Sequence, residues 1–294
     1  MKSFLSFASS KLPYDSVAIG KFDGMHKAHK YLLKLVGKNG CALSIASVKA
    51  PFITPPQRRE KYSCVPFFRL RFEYIKTWDS LRFLKLLFMV MPNLQRIIIG
   101  YDFCFGKDRM HTASDLKLLL QDMGKDSVKI EIIEPQKYHD MPIHTSIIKE
   151  LLQYGDIQNA NSMLDRFYHI KGRIIKGQGI GTTMLYPTIN MQNTLYFSPK
   201  YGVYATFAYY GNTLHKAVSF IGNRLSTDKR FCIETHIIDA NIYVERNEFL
   251  QIFFVEYLRD NRHFKELSEL KEQIKFDINK AKELLAKADI KYCR

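Results

Sequence analysis

No segment constrains the fold more than the one running from Ser16 to Val36. An apolar run, Ser16-Val17-Ala18-Ile19, leads into Gly20-Lys21-Phe22-Asp23-Gly24-Met25-His26-Lys27-Ala28-His29, and Tyr31-Leu32-Leu33-Lys34-Leu35-Val36 leads out. That order predicts strand, glycine-flanked turn and helix. Glycine lets the backbone come close to a ligand, because no Cβ stands in the way. The start of the following helix offers N–H groups and the positive end of its dipole, which favour a phosphate. His26 and His29 are three residues apart, so both fall on one face of the first helical turn. Two imidazoles beside an anion-binding helix start suggest phosphate chemistry. A surface turn followed by two solvated histidines is the plain alternative, and on these residues alone both readings stand.

This segment resembles the GxFDGxHxGH motif of the bacterial bifunctional riboflavin kinase/FAD synthetase family. Further along, Leu94-Gln95-Arg96-Ile97-Ile98-Ile99-Gly100-Tyr101-Asp102-Phe103-Cys104-Phe105-Gly106 resembles that family's GxDFxFG segment. Ile143-His144-Thr145-Ser146-Ile147-Ile148-Lys149 stands where the family carries an ISSTxIR-like nucleotide-binding element. Tyr186-Pro187-Thr188-Ile189-Asn190 resembles the FPTAN motif of the kinase half, and Ile233-Glu234-Thr235-His236 its catalytic-glutamate strand. Tyr257-Leu258-Arg259 through Phe264 and the closing helix resemble the family's C-terminal segment. Six motifs in family order cover nearly the whole chain.

The hydrophobic pattern divides the chain in two. Strands are expected at Val17 to Gly20, Ala42 to Val48, Arg96 to Gly100 and Val128 to Ile133. Helices are expected at Lys27 to Val36, Phe67 to Thr77, Leu81 to Phe88, Ala113 to Asp122 and Ser146 to Tyr154. Such alternation argues for a parallel sheet with helices on its faces, with ligands at the carboxyl ends of the strands. Gly20 and Gly100 both end strands, so the two motif loops should meet at one edge. Pro51 to Gln57 interrupts the pattern and reads as a mobile loop near the site, or as a plain connector.

After Ser162 the character changes. Tyr168 to Lys176, Tyr204 to Tyr210, Lys216 to Ile221, Phe231 to Ile238 and Phe249 to Tyr257 read as strands with Gly, Asn and Asp turns among them, the pattern of an antiparallel barrel or sandwich. Leu267, Leu270, Ile274, Ile278, Ala281 and Leu285 recur every three or four residues, so the last element is an amphipathic helix packed on that barrel. With the resemblance, the expected fold is an α/β, Rossmann-like nucleotidyltransferase domain with a parallel sheet at 1–162, and an antiparallel β-barrel riboflavin kinase domain with a terminal helix at 163–294.

Composition narrows the partners. A chain of 294 residues suits two ordinary domains. Lys and Arg number 44 against 29 acidic residues, a net charge of +15 that favours anionic ligands. The basic residues are scattered, with no zinc-finger spacing and no RNP-like aromatic motif, so nucleic acid is not an expected partner. Cys41, Cys64, Cys104, Cys232 and Cys293 are widely spaced and form no CxxC, which argues against a disulfide framework or a thiolate metal site. The apolar run around Leu84 to Met91 is far short of a bilayer span, and the first eight residues make no convincing signal peptide. The chain is expected in the cytoplasm, off the membrane; the charge is compatible with phosphorylated ligands without specifying them, and it is the resemblance that implies riboflavin, FMN and ATP as partners.

For the first half the resemblance implies adenylyl transfer, in which FMN and ATP give FAD and pyrophosphate. Charge on the α-phosphate and the leaving pyrophosphate must be neutralised in an in-line geometry. The resemblance makes His26 and His29 the groups that hold phosphate oxygens, and Gly20, Phe22, Asp23 and Gly24 the turn beneath the nucleotide. Ser146 and Lys149 would bind the triphosphate from a second helix start, and Asp102, Phe103 and Phe105 would lie beside the flavin or nucleotide. Taken alone, Phe103 and Phe105 read equally as core, and Ser146 as an N-cap. Ala28 stands where glycine is usual, His144-Thr145-Ser146 replaces Ser-Ser-Thr, Lys149 replaces an arginine and so loses the bidentate fork, and His111 stands for glycine.

For the second half the resemblance implies transfer of the ATP γ-phosphate to the riboflavin 5′-hydroxyl, which needs a phosphate cradle, a metal site and a base. Gly177, Gly179 and Gly181 would supply the cradle; on these residues alone a hairpin turn reads equally well. Thr188 and Asn190 offer hard oxygen ligands for Mg²⁺. Glu234, among apolar neighbours, would serve as general base; a carboxylate on a solvated strand face paired with a lysine is the alternative. Thr182, Leu185 and Val244 depart from the family pattern. A monofunctional adenylyltransferase with a degenerate, flavin-binding barrel is therefore a second reading, and a basic nucleic-acid-binding module a third.

Overall fold

A computed structural model describes residues 2–176, 186–224, 230–240, 242, 244–245 and 247–293. The expected phosphate cradle of Gly177, Gly179 and Gly181, together with Thr182 and Leu185, lies outside the described residues. The chain forms two compact units, Met1–Thr145 and Ser146–Arg294.

The first unit is a parallel sheet. Its strands are β1 (Lys2–Ser3), β2 (Ser16–Gly20), β3 (Gly40–Ala46), β4 (Phe67–Arg71), β5 (Arg96–Gly100) and, after the short hairpin β6 (Cys104–Phe105) and β7 (His111–Thr112), β8 (Lys129–Ile133). They lie in the order β1-β4-β3-β2-β5-β8, and every neighbouring pair is parallel. Side chains alternate between the two faces of a strand, and the core shows it. Val17, Ile19, Ile97 and Ile99 pack on one face. Their companions there are Phe83, Leu84 and Leu87 of α3 (Ser80–Val90) and Leu116 and Leu120 of α4 (Leu116–Asp122). Ala18 and Ile98 turn to the other face, against Leu32 and Leu33 of α1 (Lys27–Leu35). Strands buried on both faces read as continuous apolar runs, which is how SVAI and RIII were legible.

Two expectations need correction here. The helix expected over Phe67 to Thr77 is instead β4 followed by the one-turn α2 (Phe72–Ile75). Phe67 packs on one face of the sheet and Phe68 and Leu70 on the other, a period-two pattern that suits aromatic residues in a strand. The Pro51–Gln57 stretch is packed rather than loose. Phe52, Ile53, Thr54, Pro55 and Pro56 are all buried and run into a 3-10 turn over Pro56–Tyr62.

Beyond the minor strands β9 (Lys137–Tyr138) and β10 (Met141–Pro142) come α5 (Thr145–Tyr154) and α6 (Ile157–Leu164). The second unit is a closed antiparallel barrel of β11 (Tyr168–Ile175), β12 (Ile189–Gln192), β13 (Gly202–Tyr210), β14 (Thr213–Asn223), β15 (Phe231–Ile237) and β16 (Phe249–Arg259), closed in the order β11-β12-β15-β14-β13-β16. Strand β12 escaped the sequence reading because only four residues of it alternate. Helix α6 packs on the barrel. Asn161 Nδ2 donates to the Phe254 carbonyl at 2.9 Å and its Oδ1 accepts from the Tyr168 N–H at 2.6 Å. The closing helix, α7 (Leu267–Lys287), sets Ile278, Ala281 and Leu285 against Val203, Ala205, Phe207 and Val218. Its rotation is held by Arg259, whose Nε and Nη2 reach Asp277 Oδ2 at 3.0 and 2.8 Å. Among the described residues no helix is long and apolar enough to cross a membrane.

Candidate functional site

Strands β2 and β5 are neighbours, with Ile19 in register with Ile99. Gly20 and Gly100 therefore leave the sheet side by side at its carboxyl edge, where an open parallel sheet presents ligand-binding loops.

The turn after β2 is tightly wound. Phe22 (φ 55°), Gly24 (φ 90°) and Met25 (φ 44°) all have positive φ, a conformation that costs a side-chain-bearing residue energy and persists only where its surroundings over-determine it. Phe22 and Met25 are fully buried, with Phe22 against Phe67 and the His29 ring. Phe22 is thus the floor of the turn. His26 is the N-cap of α1; its Nδ1 accepts weakly from the His29 N–H at 3.4 Å. An accepting Nδ1 places the ring proton of a neutral His26 on Nε2, a donor suited to a phosphate oxygen. The two imidazoles stack with centroids 3.6 Å apart and planes 18° from parallel.

The walls of the turn are tied to Asp23 and Lys21 by Thr54, Thr145 and Arg59, to which the motifs gave no role. Asp23 Oδ1 accepts from the Thr54 N–H at 2.9 Å, and the Asp23 carbonyl accepts from the Thr145 hydroxyl at 2.8 Å. Arg59, buried in the turn after Pro56, donates from Nη1 to the Lys21 carbonyl at 2.6 Å and from Nε to the Thr54 carbonyl at 2.9 Å. The proline pair Pro55-Pro56, ending three residues earlier, marked this stretch as irregular but gave no sign that it carried a buried cation.

In the loop after β5, Asp102 Oδ2 meets His144 Nε2 at 3.0 Å. That hydrogen bond is the main reason the Asp102 carboxyl titrates below its ordinary value, with burial acting against it. The pair joins the GxDFxFG-like loop to the residue before α5. Phe105 is a core residue, in contact with Phe83 and His111, and Phe103 stacks on it at 5.5 Å from a partly buried position. His111 Nδ1 lies 2.7 Å from Ser80 Oγ. Ser146 and Lys149 stand in the first turns of α5, and the Lys149 ammonium lies 5.5 Å from the Phe197 ring centre.

In the barrel, β12 and β15 bring Asn190 directly opposite Glu234. Between them reaches Arg224, just past the end of β14. Its Nη2 donates to Asn190 Oδ1 at 2.8 Å and its Nε to Glu234 Oε1 at 2.9 Å, while Nη2 also lies 2.8 Å from that oxygen. Glu234 is therefore paired, as the structural alternative expected, but with an arginine rather than a lysine. Thr188 is exposed, two residues before Asn190. Thr188 and Asn190 are hard oxygen donors, few in number, and so of the kind that suits a Mg²⁺ ion keeping most of its coordination for phosphate and water. Beside them a cavity of about 500 Å³ opens between Tyr186, Pro187 and His236 on one side and Ile278, Asn279 and Lys275 of α7 on the other. Its size is that of an ordinary small-molecule site. Two motifs supply Tyr186, Pro187 and His236 to its lining, but the helix side, from Lys275 to Lys282, had no motif to mark it.

Comparison with known proteins covers both units. Residues 164–285 match the family model for Flavokinase, riboflavin kinase. A bifunctional riboflavin kinase/FMN adenylyltransferase of Buchnera aphidicola subsp. Acyrthosiphon pisum is 29% identical over 287 residues, covering 89% of this chain and 90% of that protein. The protein of the same description from Bacillus subtilis is 27% identical, covering 90% of each. The crystal structure of a macrolide-efflux protein from Streptococcus pneumoniae superposes with a TM-score of 0.78 at 22% identity, over 92% of this chain and 94% of that one. That last likeness is one of fold.

Proposed function

We infer that this chain, which belongs to the bifunctional riboflavin kinase/FMN adenylyltransferase family, phosphorylates riboflavin to FMN and then adenylylates FMN to FAD. What carries the reading is that similarity to relatives named for both reactions runs through both units, over about nine-tenths of the chain.

In the barrel the riboflavin 5′-hydroxyl oxygen attacks the γ-phosphorus of ATP, a new P–O bond forms and ADP leaves. Glu234 takes the hydroxyl proton. Arg224 holds the carboxylate toward Asn190, and its guanidinium is a ready counter-charge for a transferring phosphoryl group. Thr188 and Asn190 would hold Mg²⁺, which when bound neutralises phosphate charge. The cavity under α7 takes the flavin ring, with Ile237, Ile238 and Ile278 along its faces and Asn279 and Lys275 as polar anchors.

In the first unit an FMN phosphate oxygen attacks the α-phosphorus of ATP; the bond to the β-phosphate oxygen breaks and pyrophosphate leaves. His26 and His29 donate to phosphate oxygens at the start of α1, where the helix dipole adds to their effect. The turn over Phe22 brings the backbone close to the nucleotide. Asp102 with Phe103 flanks the flavin or nucleotide over a floor that includes Phe105. The enzyme acts in the cytoplasm on soluble substrates.

Incubation of purified protein with riboflavin, ATP and Mg²⁺, with flavins separated over time, tests the reading. FMN followed by FAD is the expected result. FAD formed only from added FMN would favour the monofunctional alternative, and no turnover of either flavin would overturn the assignment.

A further inference from the structure

Arg59 carries a charge into the interior of the first unit. The residue is 1% exposed. Burial pulls its pKa down to about 10, with Asp23 acting in the opposite sense, so it remains charged at neutral pH. Each of its polar contacts falls on the turn after β2 or on the two segments that wall it. Nη1 donates to the Lys21 carbonyl at 2.6 Å and lies 3.4 Å from Ser44 Oγ on β3. Nε donates to the Thr54 carbonyl at 2.9 Å, and Nη2 lies 3.6 Å from Asp23 Oδ1. Ser44 Oγ itself donates to the Lys21 carbonyl at 3.1 Å, and the guanidinium lies over the Phe52 ring with 5.6 Å to its centre.

A buried ion network is a poor device for stability alone, since well-packed apolar side chains of similar volume often serve as well or better. What this network does is remove freedom from a turn that contains two side-chain-bearing residues at positive φ, Phe22 and Met25. The planar guanidinium presents several donors in a fixed fork, and here the fork spans Lys21, Ser44, Thr54 and Asp23 at once. A single ammonium cannot reproduce that set of directions.

We propose that Arg59 is a positioning residue for adenylyl transfer: it locks the turn that leads into α1 in its phosphate-receiving conformation before the nucleotide arrives, and it places a fixed positive charge beneath that turn. Pre-organisation of this kind reduces the reorganisation left for the bound state and sharpens the in-line geometry of transfer. The inference rests on the adenylyl-transfer reading of the first unit.

Arg59→Lys and Arg59→Gln test it. FAD formation from FMN is followed with ATP varied, and riboflavin phosphorylation by the second unit of the same preparation serves as the control for folded, active protein. Arg59→Lys should raise the KM for ATP and lower kcat/KM for FAD formation by about tenfold, while riboflavin phosphorylation stays within about twofold of wild type. Arg59→Gln, which removes the charge as well, should be lower still. A merely stabilising arginine would leave the KM for ATP unchanged, with kcat scaled only by the fraction of folded protein, and that result overturns the inference. So does wild-type behaviour of Arg59→Lys, which decides the matter if Arg59→Gln does not fold. Wild-type protein that forms no FAD from FMN overturns the adenylyl-transfer reading itself, and the inference with it; variants that match an active wild type overturn the inference alone.

Discussion

Asn190 and Glu234 sit opposite one another on adjacent antiparallel strands, and one guanidinium, that of Arg224, bonds to both. The carboxylate thus has a fixed direction as well as a partner. Glu234→Gln keeps the shape and an acceptor oxygen but cannot take a proton. It should lower FMN formation from riboflavin roughly 10²- to 10⁴-fold, the usual weight of a general base. FAD formation from supplied FMN should be unaffected. Separate assays of the two steps check this, and kinase activity equal to wild type would remove Glu234 from the mechanism.

Arg224→Lys keeps the charge and loses the fork. A lysine cannot reproduce the paired approach of Nε and Nη2 to Glu234 while also serving Asn190. Riboflavin phosphorylation should fall about tenfold, mainly in kcat, and FAD formation from FMN should not change. Steady-state kinetics on the two half-reactions distinguish this from a general loss of fold, which would lower both.

His26 and His29 form a stacked pair at the first turn of α1. His29→Ala removes one phosphate donor and the ring that packs on His26 and Phe22. It should abolish FAD formation, a loss of at least about 10²-fold, while FMN formation from riboflavin continues. An unchanged rate of FAD formation would sink the role given to the pair.

The Asp102–His144 contact makes a prediction about acid. His144 is the first cause of the depressed Asp102 pKa. In the unfolded chain the carboxyl returns to about 3.9. A depressed folded value means that the contribution to stability is fully present above about pH 4 and is lost as pH falls through the lower folded pKa. His144→Ala should move the Asp102 midpoint up toward the ordinary carboxylate value, read from the carboxylate carbon resonance in an NMR titration. A midpoint that does not move would show that other groups hold it.

The barrel closes tightly at Gly172, where a Cβ would stand 2.1 Å from the Gln192 carbonyl oxygen and 2.6 Å from the Met191 side chain. The obstacle is backbone on the paired strand, which cannot yield cheaply. Gly172→Ala should destabilise the second unit by about 1–3 kcal/mol or more, visible as a lower Tm of that unit. A Tm equal to wild type would mean that β11 and β12 can separate there without cost.

Local pattern was enough to read much of this chain. Buried parallel strands announce themselves as unbroken apolar runs, so β2 and β5 were legible, and so was the meeting of Gly20 and Gly100 at one sheet edge. The recurrence of Leu267 to Leu285 described α7 for the same reason, since a helix that covers a barrel must show one apolar stripe. Phe67–Arg71 was misread because a five-residue strand carries too few periods to tell two from 3.6, and only pairing with β1 and β3 decided it.

The candidate sites divide in the same way. His26, His29, Asn190 and Glu234 belong to short motifs whose members are close in sequence or carry a family spacing. Arg59 lies 36 residues beyond Asp23 and Arg224 lies 34 beyond Asn190, a separation the chain closes only by folding. Which cation partners which carboxylate is set by strand order and by the burial of the segments between, because a charge taken out of water must be met by whatever donors and acceptors the packing brings within reach.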